Sequence, residues 1–280
     1  MIVFKKAPDM NLFLQKAGAK QQKTGFVPTM GALHPGHISL VETAKQRGHL
    51  VICSIFVNPT QFNDAKDFQN YPITIESDID QLEKAGCDVL FLPSVSEMYP
   101  NGLASKTHYE LGYLETVLEG KYRPGHFQGV CQVVHRLLGI IPADFLYLGQ
   151  KDFQQCMVIK KMIGLQGLKT TIVICPTLRE PDGLAMSSRN MRLDEKARTR
   201  AVEISSTLNY IKTSLHPGDL SILKSNAIKK LNDAGFKTDY VEIADAETLA
   251  LKDHWDGKTK LVALCAAFLG DVRLIDNMLL

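Results

Sequence analysis

The chain has 280 residues, 45% hydrophobic and 22% charged, which is enough to bury a sizeable core and too much for one small domain. Lys and Arg outnumber Asp and Glu by only 32 to 30, so the formal charge of +2 gives no electrostatic case for nucleic acid or an anionic membrane as the main partner, and a small-molecule site is expected instead. The N-terminal MIVFKKAPDM lacks the apolar core of a signal peptide and the longest apolar run, around Leu261 to Leu269, is too short to cross a bilayer, so the expectation is a soluble, cytoplasmic protein with no membrane partner.

In chain order, short apolar runs alternate with stretches of helical period. Gly25 to Val27, Leu50 to Val57, Asp88 to Leu92, Phe145 to Leu148 and Thr170 to Cys175 read as strands buried on both faces. Ile38 to Arg47, Ile73 to Ala85, Val130 to Ile141 and Phe153 to Leu165 read as the helices between them. Each parallel crossover needs a covering helix, so this alternation predicts an α/β, Rossmann-like, doubly wound parallel sheet over residues 1–176. After a loop at Leu178 to Asn190 come helical stretches at Asp194 to Lys212 and Leu220 to Ala234, then strands at Tyr240 to Ile243, Leu261 to Phe268 and Val272 to Asp276. That clustering predicts a smaller α+β domain over residues 177–280. The six cysteines sit singly with no Cys-x-x-Cys pair and read as buried free thiols.

The segment Pro28-Thr-Met-Gly-Ala-Leu-His-Pro-Gly-His37 follows the first of these strands and leads into a helix. Ligands of open α/β sheets gather at the carboxyl ends of strands, and a helix N-terminus there offers N–H groups and a positive dipole to an anion. Gly31 and Gly36 allow close backbone approach, and Pro35 stiffens the turn. Three readings of His34 and His37 compete: a metal site, surface histidines without a role, or imidazoles donating to phosphate oxygens. A metal ranks lowest for want of further ligands at an obvious spacing, so no metal ligands are assigned. Position favours the phosphate.

Other polar clusters sit at comparable places. Asn58 and Gln61 follow the second strand and can bond a small polar substrate, or simply form a turn. Gly149-Gln-Lys-Asp-Phe-Gln-Gln155 precedes a helix; there Lys151 can meet a phosphate, Gln155 lies one helical turn on, and Asp152 can serve as an N-cap. Glu119 to His126 is a basic, glycine-containing loop, and Met186-Ser-Ser-Arg189 places two hydroxyls and a guanidinium between the expected domains.

Together these segments carry a resemblance. His34-Pro-Gly-His37 looks like the His-x-Gly-His signature of the nucleotidylyltransferase and class I aminoacyl-tRNA synthetase superfamily, and Met186-Ser-Ser-Arg189 resembles its Lys-Met-Ser-Lys-Ser loop. With Asn58-Pro-x-Gln-Phe62, Arg123-Pro-Gly-His-Phe127, Gly149-x-Lys-Asp-Phe-Gln-Gln155 and Arg179 to Asn190, in that order, the chain resembles the pantothenate synthetase family along most of its length. The resemblance implies condensation of (R)-pantoate with β-alanine, with ATP split to AMP and pyrophosphate through a pantoyl-adenylate, Mg²⁺ accompanying ATP, and a homodimer. It implies an ATP site at Met30, Gly31, Ala32, Leu33, His34, Pro35, Gly36, His37, Gly149, Gln150, Lys151, Asp152, Leu178, Met186, Ser187, Ser188 and Arg189. Within it, His34 and His37 face the phosphates, with His37 the usual proton donor, and Lys151, Ser187, Ser188 and Arg189 hold the triphosphate. Gln61 and Gln155 correspond to the pantoate glutamines, with Asn58 also at the substrate; Tyr71, Glu119, Arg123 and His126 correspond to pocket or loop positions. Many family members have Glu where this chain has Gln150, so a charge role there does not carry over.

Overall fold

The computed structural model describes residues 1–18, 22–62, 68–103 and 107–280. They form two compact units, Met1–Gly149 with Val158–Pro176, and Gln150–Met157 with Thr177–Leu280. The second unit takes in Gln150–Met157, of which Gln150 O and Lys151 O accept from Asn277 of the last strand.

The first unit is built on a six-stranded sheet of β1 (Ile2–Phe4), β2 (Thr24–Thr29), β3 (Leu50–Ile55), β4 (Val89–Phe91), β5 (Phe145–Gly149) and β6 (Thr171–Cys175). The order is β1-β4-β3-β2-β5-β6 and every pairing is parallel. Helices α1 (Ala7–Gly18), α2 (Pro35–Gln46), α3 (Ile75–Lys84), α4 (His126–Ile140) and α5 (Phe153–Leu165) make the connections, as parallel strands require. The order reverses at β2, whose pairs with β5 are Gly25 with Phe145 and Phe26 with Leu146. Pro28, which has no N–H, lies beyond those pairs. The carboxyl end of β2 is therefore the topological switch point, where such sheets open a crevice.

One expectation is corrected, and one pair of elements lies outside the reading of the sequence. The β1–α1 pair escapes a periodicity reading, since three strand residues give no pattern to count. In addition, β6 is not buried on both faces: Ile174 is 41% exposed, because β6 is an edge strand.

At the amino end of the sheet, His49 is buried, stacks on Phe145 with ring centroids 4.6 Å apart, and meets Tyr147 Oη through Nδ1 at 2.9 Å. Gly25 leaves room for this cluster; a Cβ there would lie 2.9 Å from the Tyr147 ring and 3.2 Å from His49. Burial, and then the Arg47 guanidinium, hold the His49 imidazole below its ordinary pKa. The unfolded chain thus takes up the proton first as pH falls, so this group's contribution to stability is intact above about pH 6.5 and is lost on descent through the lower folded value. Urea midpoints measured from pH 8 to pH 5 should fall below pH 6.5 in the parent and fall less in His49→Gln; equal slopes would show the loss comes from elsewhere.

In the second unit α6 (Glu195–Ala201), α7 (Glu203–Thr213) and α8 (Ser221–Asp233) accompany an antiparallel sheet of β7 (Lys237–Asp245), β8 (Leu261–Leu269) and β9 (Val272–Leu279), with β8 central. The helix expected over Asp194 to Lys212 is divided at Val202, whose φ of −60° and ψ of −23° tighten the turn toward 3₁₀ geometry. Its core joins Ile204, Leu208 and Ile211 of α7 to Ala263, Cys265 and Ala267 of β8. All six cysteines of the chain are buried free thiols. Among the described residues no helix is long and apolar enough to cross a membrane.

Candidate active site

The loop after β2 is set by its backbone. Gly31 has φ +81° and Ala32 φ +49°, both in the left-handed region, and Thr29 Oγ1 braces the turn by donating to Ser54 O at 2.7 Å and accepting from Gly31 N–H at 3.3 Å. The carboxylate of Asp78, from α3, is fully buried and accepts from Ala32 N–H at 3.0 Å, Leu33 N–H at 2.8 Å and Thr74 Oγ1 at 3.0 Å. Gly31 thus serves the turn and the packing as well as any ligand: a Cβ there would lie 3.0 Å from Asp78 Oδ2 and 3.1 Å from Ile55. Asp78 has a sequence signal of its own, an acid four residues before buried Leu82 on the inward stripe of α3.

The loop delivers the chain into α2 through an unusual cap. His34 is the N-cap residue, Pro35 and Gly36 open the helix, and His37 occupies the third helical position. His34 Nδ1 accepts from Gly36 N–H at 3.2 Å, and His37 Nδ1 accepts from His34 N–H at 3.4 Å, so imidazole nitrogens do what Ser and Glu do in an ordinary capping box. The rings lie 4.0 Å apart. With Nδ1 an acceptor in both, each neutral ring carries its proton on Nε2, an assignment made from the hydrogen bonds. Two Nε2–H donors at a helix N-terminus are suited to meeting negative charge.

Beside this loop Gln61 donates through Nε2 to Met30 Sδ at 3.0 Å. Asn58 is engaged within the fold. It is 1% exposed; its amide N–H groups go to Gln61 Oε1 and Gly129 O, both at 3.2 Å, and its Oδ1 accepts from Tyr99 Oη at 2.7 Å and from Thr60 N–H and Oγ1. Its groups are consumed within the fold, so Asn58 orients Gln61. His126 Nδ1 lies 2.8 Å from Gln61 O, and its Nε2 faces Arg123 Nη1 at 3.1 Å, with Glu119 3.8 Å beyond. Tyr71 packs on Phe62 and, with Met30, Gly31, Asp78 and Leu92, lines a largely apolar cavity of about 440 Å³. Composition gave no warning of Gly129, where a Cβ would collide with Thr60 O. Gly129→Ala should therefore displace the Thr60–Gln61 turn, costing about 2 kcal/mol in denaturant titrations and raising KM for the acid substrate; an unchanged KM would separate this turn from substrate binding.

The remaining expected residues belong to the second unit, apart from Gly149, which closes β5 in the first. Gln150–Asp152 form a 3₁₀ turn leading into α5, so Lys151 precedes a helix and Gln155 lies in its first turn. Leu178 and Met186 face each other across a narrow turn, Met186 N–H donating to Leu178 O at 3.0 Å and Arg179 bridging Ala185. Ser187 caps the 3₁₀ helix Ser188–Arg192, its Oγ accepting from Arg189 N–H at 3.3 Å. Lys151, Ser187 and Arg189 line one small cleft with Arg273 and Asp276. Of its charged groups, Arg273 is paired with Asp239 at 2.7 Å and Asp276 with Arg179 at 2.7 Å. Among the described residues no group of three His, Cys, Asp or Glu is placed to hold a metal ion.

The family model described as pantoate-beta-alanine ligase matches residues 2–279. The chain belongs to the pantoate–β-alanine ligase family. Among its relatives, a pantothenate synthetase of Porphyromonas gingivalis is 42% identical over 280 residues, covering 99% of both chains. One from Aeromonas hydrophila is 47% identical over 254 residues, covering 90% of this chain and 88% of that one. Of the solved structures, pantothenate synthetase from Thermus thermophilus superposes with a TM-score of 0.86 at 36% identity, covering 99% of each chain. The pantoate-beta-alanine ligase of Francisella tularensis, complexed with beta-gamma ATP and beta-alanine, gives 0.82 at 40% identity and covers 100% of this chain and 97% of that one. This ligase thus joins pantoate to β-alanine, a step in pantothenate biosynthesis.

Proposed function

We propose that ATP drives this ligation through a pantoyl-adenylate, with the residues above in the following roles. In the first half-reaction a pantoate carboxylate oxygen attacks the α-phosphorus of ATP, forming the acyl–phosphate bond as the bond to pyrophosphate breaks. Negative charge builds on the phosphate oxygens and the leaving group. His34 and His37 meet it with their Nε2–H groups; His37 acts as a charge-stabilising donor, since pyrophosphate does not need strong protonation to leave. Lys151, Ser187, Ser188 and Arg189 hold the triphosphate, and the backbone from Met30 to Gly36, Gly149 to Asp152, Leu178 and Met186 surrounds the nucleotide.

In the second half-reaction the β-alanine amine attacks the acyl carbon, AMP leaves with the bonding pair, and the nitrogen loses a proton. No covalent enzyme intermediate is needed, so catalysis rests on positioning and on fixed donors. Gln61 and Gln155 bind pantoate through neutral amides, which leave its carboxylate nucleophilic where a tight ion pair would blunt it. Mg²⁺ enters with ATP, since that ion is ordinarily held by substrate phosphates and water and does not require a protein cage. A homodimer and a cytoplasmic location complete the reading; sedimentation of the purified enzyme tests the first.

The observation that supports the adenylate route is the paired-histidine cap at the switch point, in which both Nδ1 atoms accept backbone N–H groups. Labelled pyrophosphate should exchange into ATP when pantoate is present and β-alanine absent, and AMP-forming turnover should begin when β-alanine is added. Turnover without any partial exchange would replace the adenylate with a concerted route.

A further inference from the structure

The second unit holds the Lys151 turn through a side chain of its last strand. The carboxamide of Asn277, on β9, is 2% exposed, and its two N–H bonds run to consecutive carbonyls of the turn that carries Lys151: Gln150 O at 2.9 Å and Lys151 O at 2.8 Å. Its Oδ1 accepts from the Gln150 side-chain Nε2 at 3.2 Å. With both donors engaged by carbonyls, the amide can face only one way round, and the group opposite Oδ1 must be a donor. Gln150 supplies one where a glutamate would present another acceptor.

The preceding residue ties the same strand to the serine loop. Asp276 accepts a two-pronged ion pair from Arg179, Nη1 to Oδ2 at 2.7 Å and Nη2 to Oδ1 at 3.0 Å, and also accepts Asn277 N–H at 2.8 Å. Arg179 spends its remaining bonds on Gly183 O at 3.0 Å and Asn277 O at 3.2 Å, fixing the turn that leads into Ser187. Adjacent residues of one strand therefore grip the two segments that line the Lys151–Ser187–Arg189 cleft.

We propose that Asn277 is a positioning residue for the adenylation step, an amide clamp that acts through Lys151. It does not touch ATP. Truncating it frees the Lys151 turn and leaves two carbonyls to find other donors, while β9 stays paired along β8. The inference rests on the reading of Lys151 as a triphosphate contact.

Initial rates of pantoate-dependent pyrophosphate exchange are measured for the parent, Asn277→Ala, Lys151→Ala and the double variant, with thermal unfolding of each. Asn277→Ala should lower kcat/KM for ATP about tenfold, the scale of one or two lost hydrogen bonds, with KM for pantoate unmoved. The double variant should be no slower than Lys151→Ala, because a clamp acting through a lysine has nothing left to position. Multiplying effects in the double variant, or a change below twofold in Asn277→Ala, would overturn the clamp. If Lys151→Ala itself leaves exchange unchanged, the reading of Lys151 fails, whatever Asn277 does. Should Asn277→Ala not fold, Gln150→Met decides: it removes only the donor to Oδ1, and is expected to raise KM for ATP about threefold, with no change counting against the proposal.

Discussion

His37→Ala is expected to lower the rate of pantoate-dependent pyrophosphate exchange about a hundredfold, on the scale of one transition-state donor removed, while thermal unfolding stays within a few degrees of the parent. Separation of the two readouts follows from the position of the side chain. His37 is half-buried at the start of α2, and the bond it accepts from His34 N–H is long at 3.4 Å, so the cap loses little when water replaces it. The chemistry loses more. Because His37 Nδ1 is an acceptor, the donor it presents is Nε2–H, and no backbone group substitutes for a donor on that atom. His37→Asn keeps a side-chain amide and should recover part of the rate. A rate within threefold of the parent in His37→Ala would remove this residue from the reaction.

Asp78→Ala has the largest expected effect on stability, about 3 kcal/mol in denaturant titrations, together with a loss of exchange activity. The carboxylate accepts from two successive backbone N–H groups in the interior; without it, Ala32 and Leu33 N–H are buried and unsatisfied. Ala32 is also a non-glycine residue held at φ +49°, a conformation that persists only while its surroundings impose it. The loop then relaxes, and His34 and His37 move with it. Asp78→Asn should lie between, since one oxygen still accepts while the amide N–H₂ opposes the second N–H. A cost below 1 kcal/mol with unaltered exchange would mean that the loop carries its own conformation.

The alternation of apolar strands and amphipathic helices was legible through residue 176 because parallel strands have no other means of connection. Candidate site residues were legible where the family's chemistry calls for a particular side chain. His34, His37, Lys151 and the Ser187–Arg189 run stand out because they recur together, in order and at family spacing, although His34, His37 and Ser187 also cap helices. Asn58 was open to both readings because an amide that binds a ligand and one that braces a turn look the same in one dimension; its five internal bonds show the bracing.

Motif spacing thus determined the family and strand–helix alternation the doubly wound sheet, since each is written in local runs of sequence. The tertiary structure alone decided what holds those residues in place. Asp78 reaches the loop from 46 and 45 positions away, and Asn277 reaches the Lys151 turn from 127 and 126. Neither contact leaves a period or a spacing in the sequence, because a hydrogen bond between distant segments depends on how the chain returns, and folding alone sets that path.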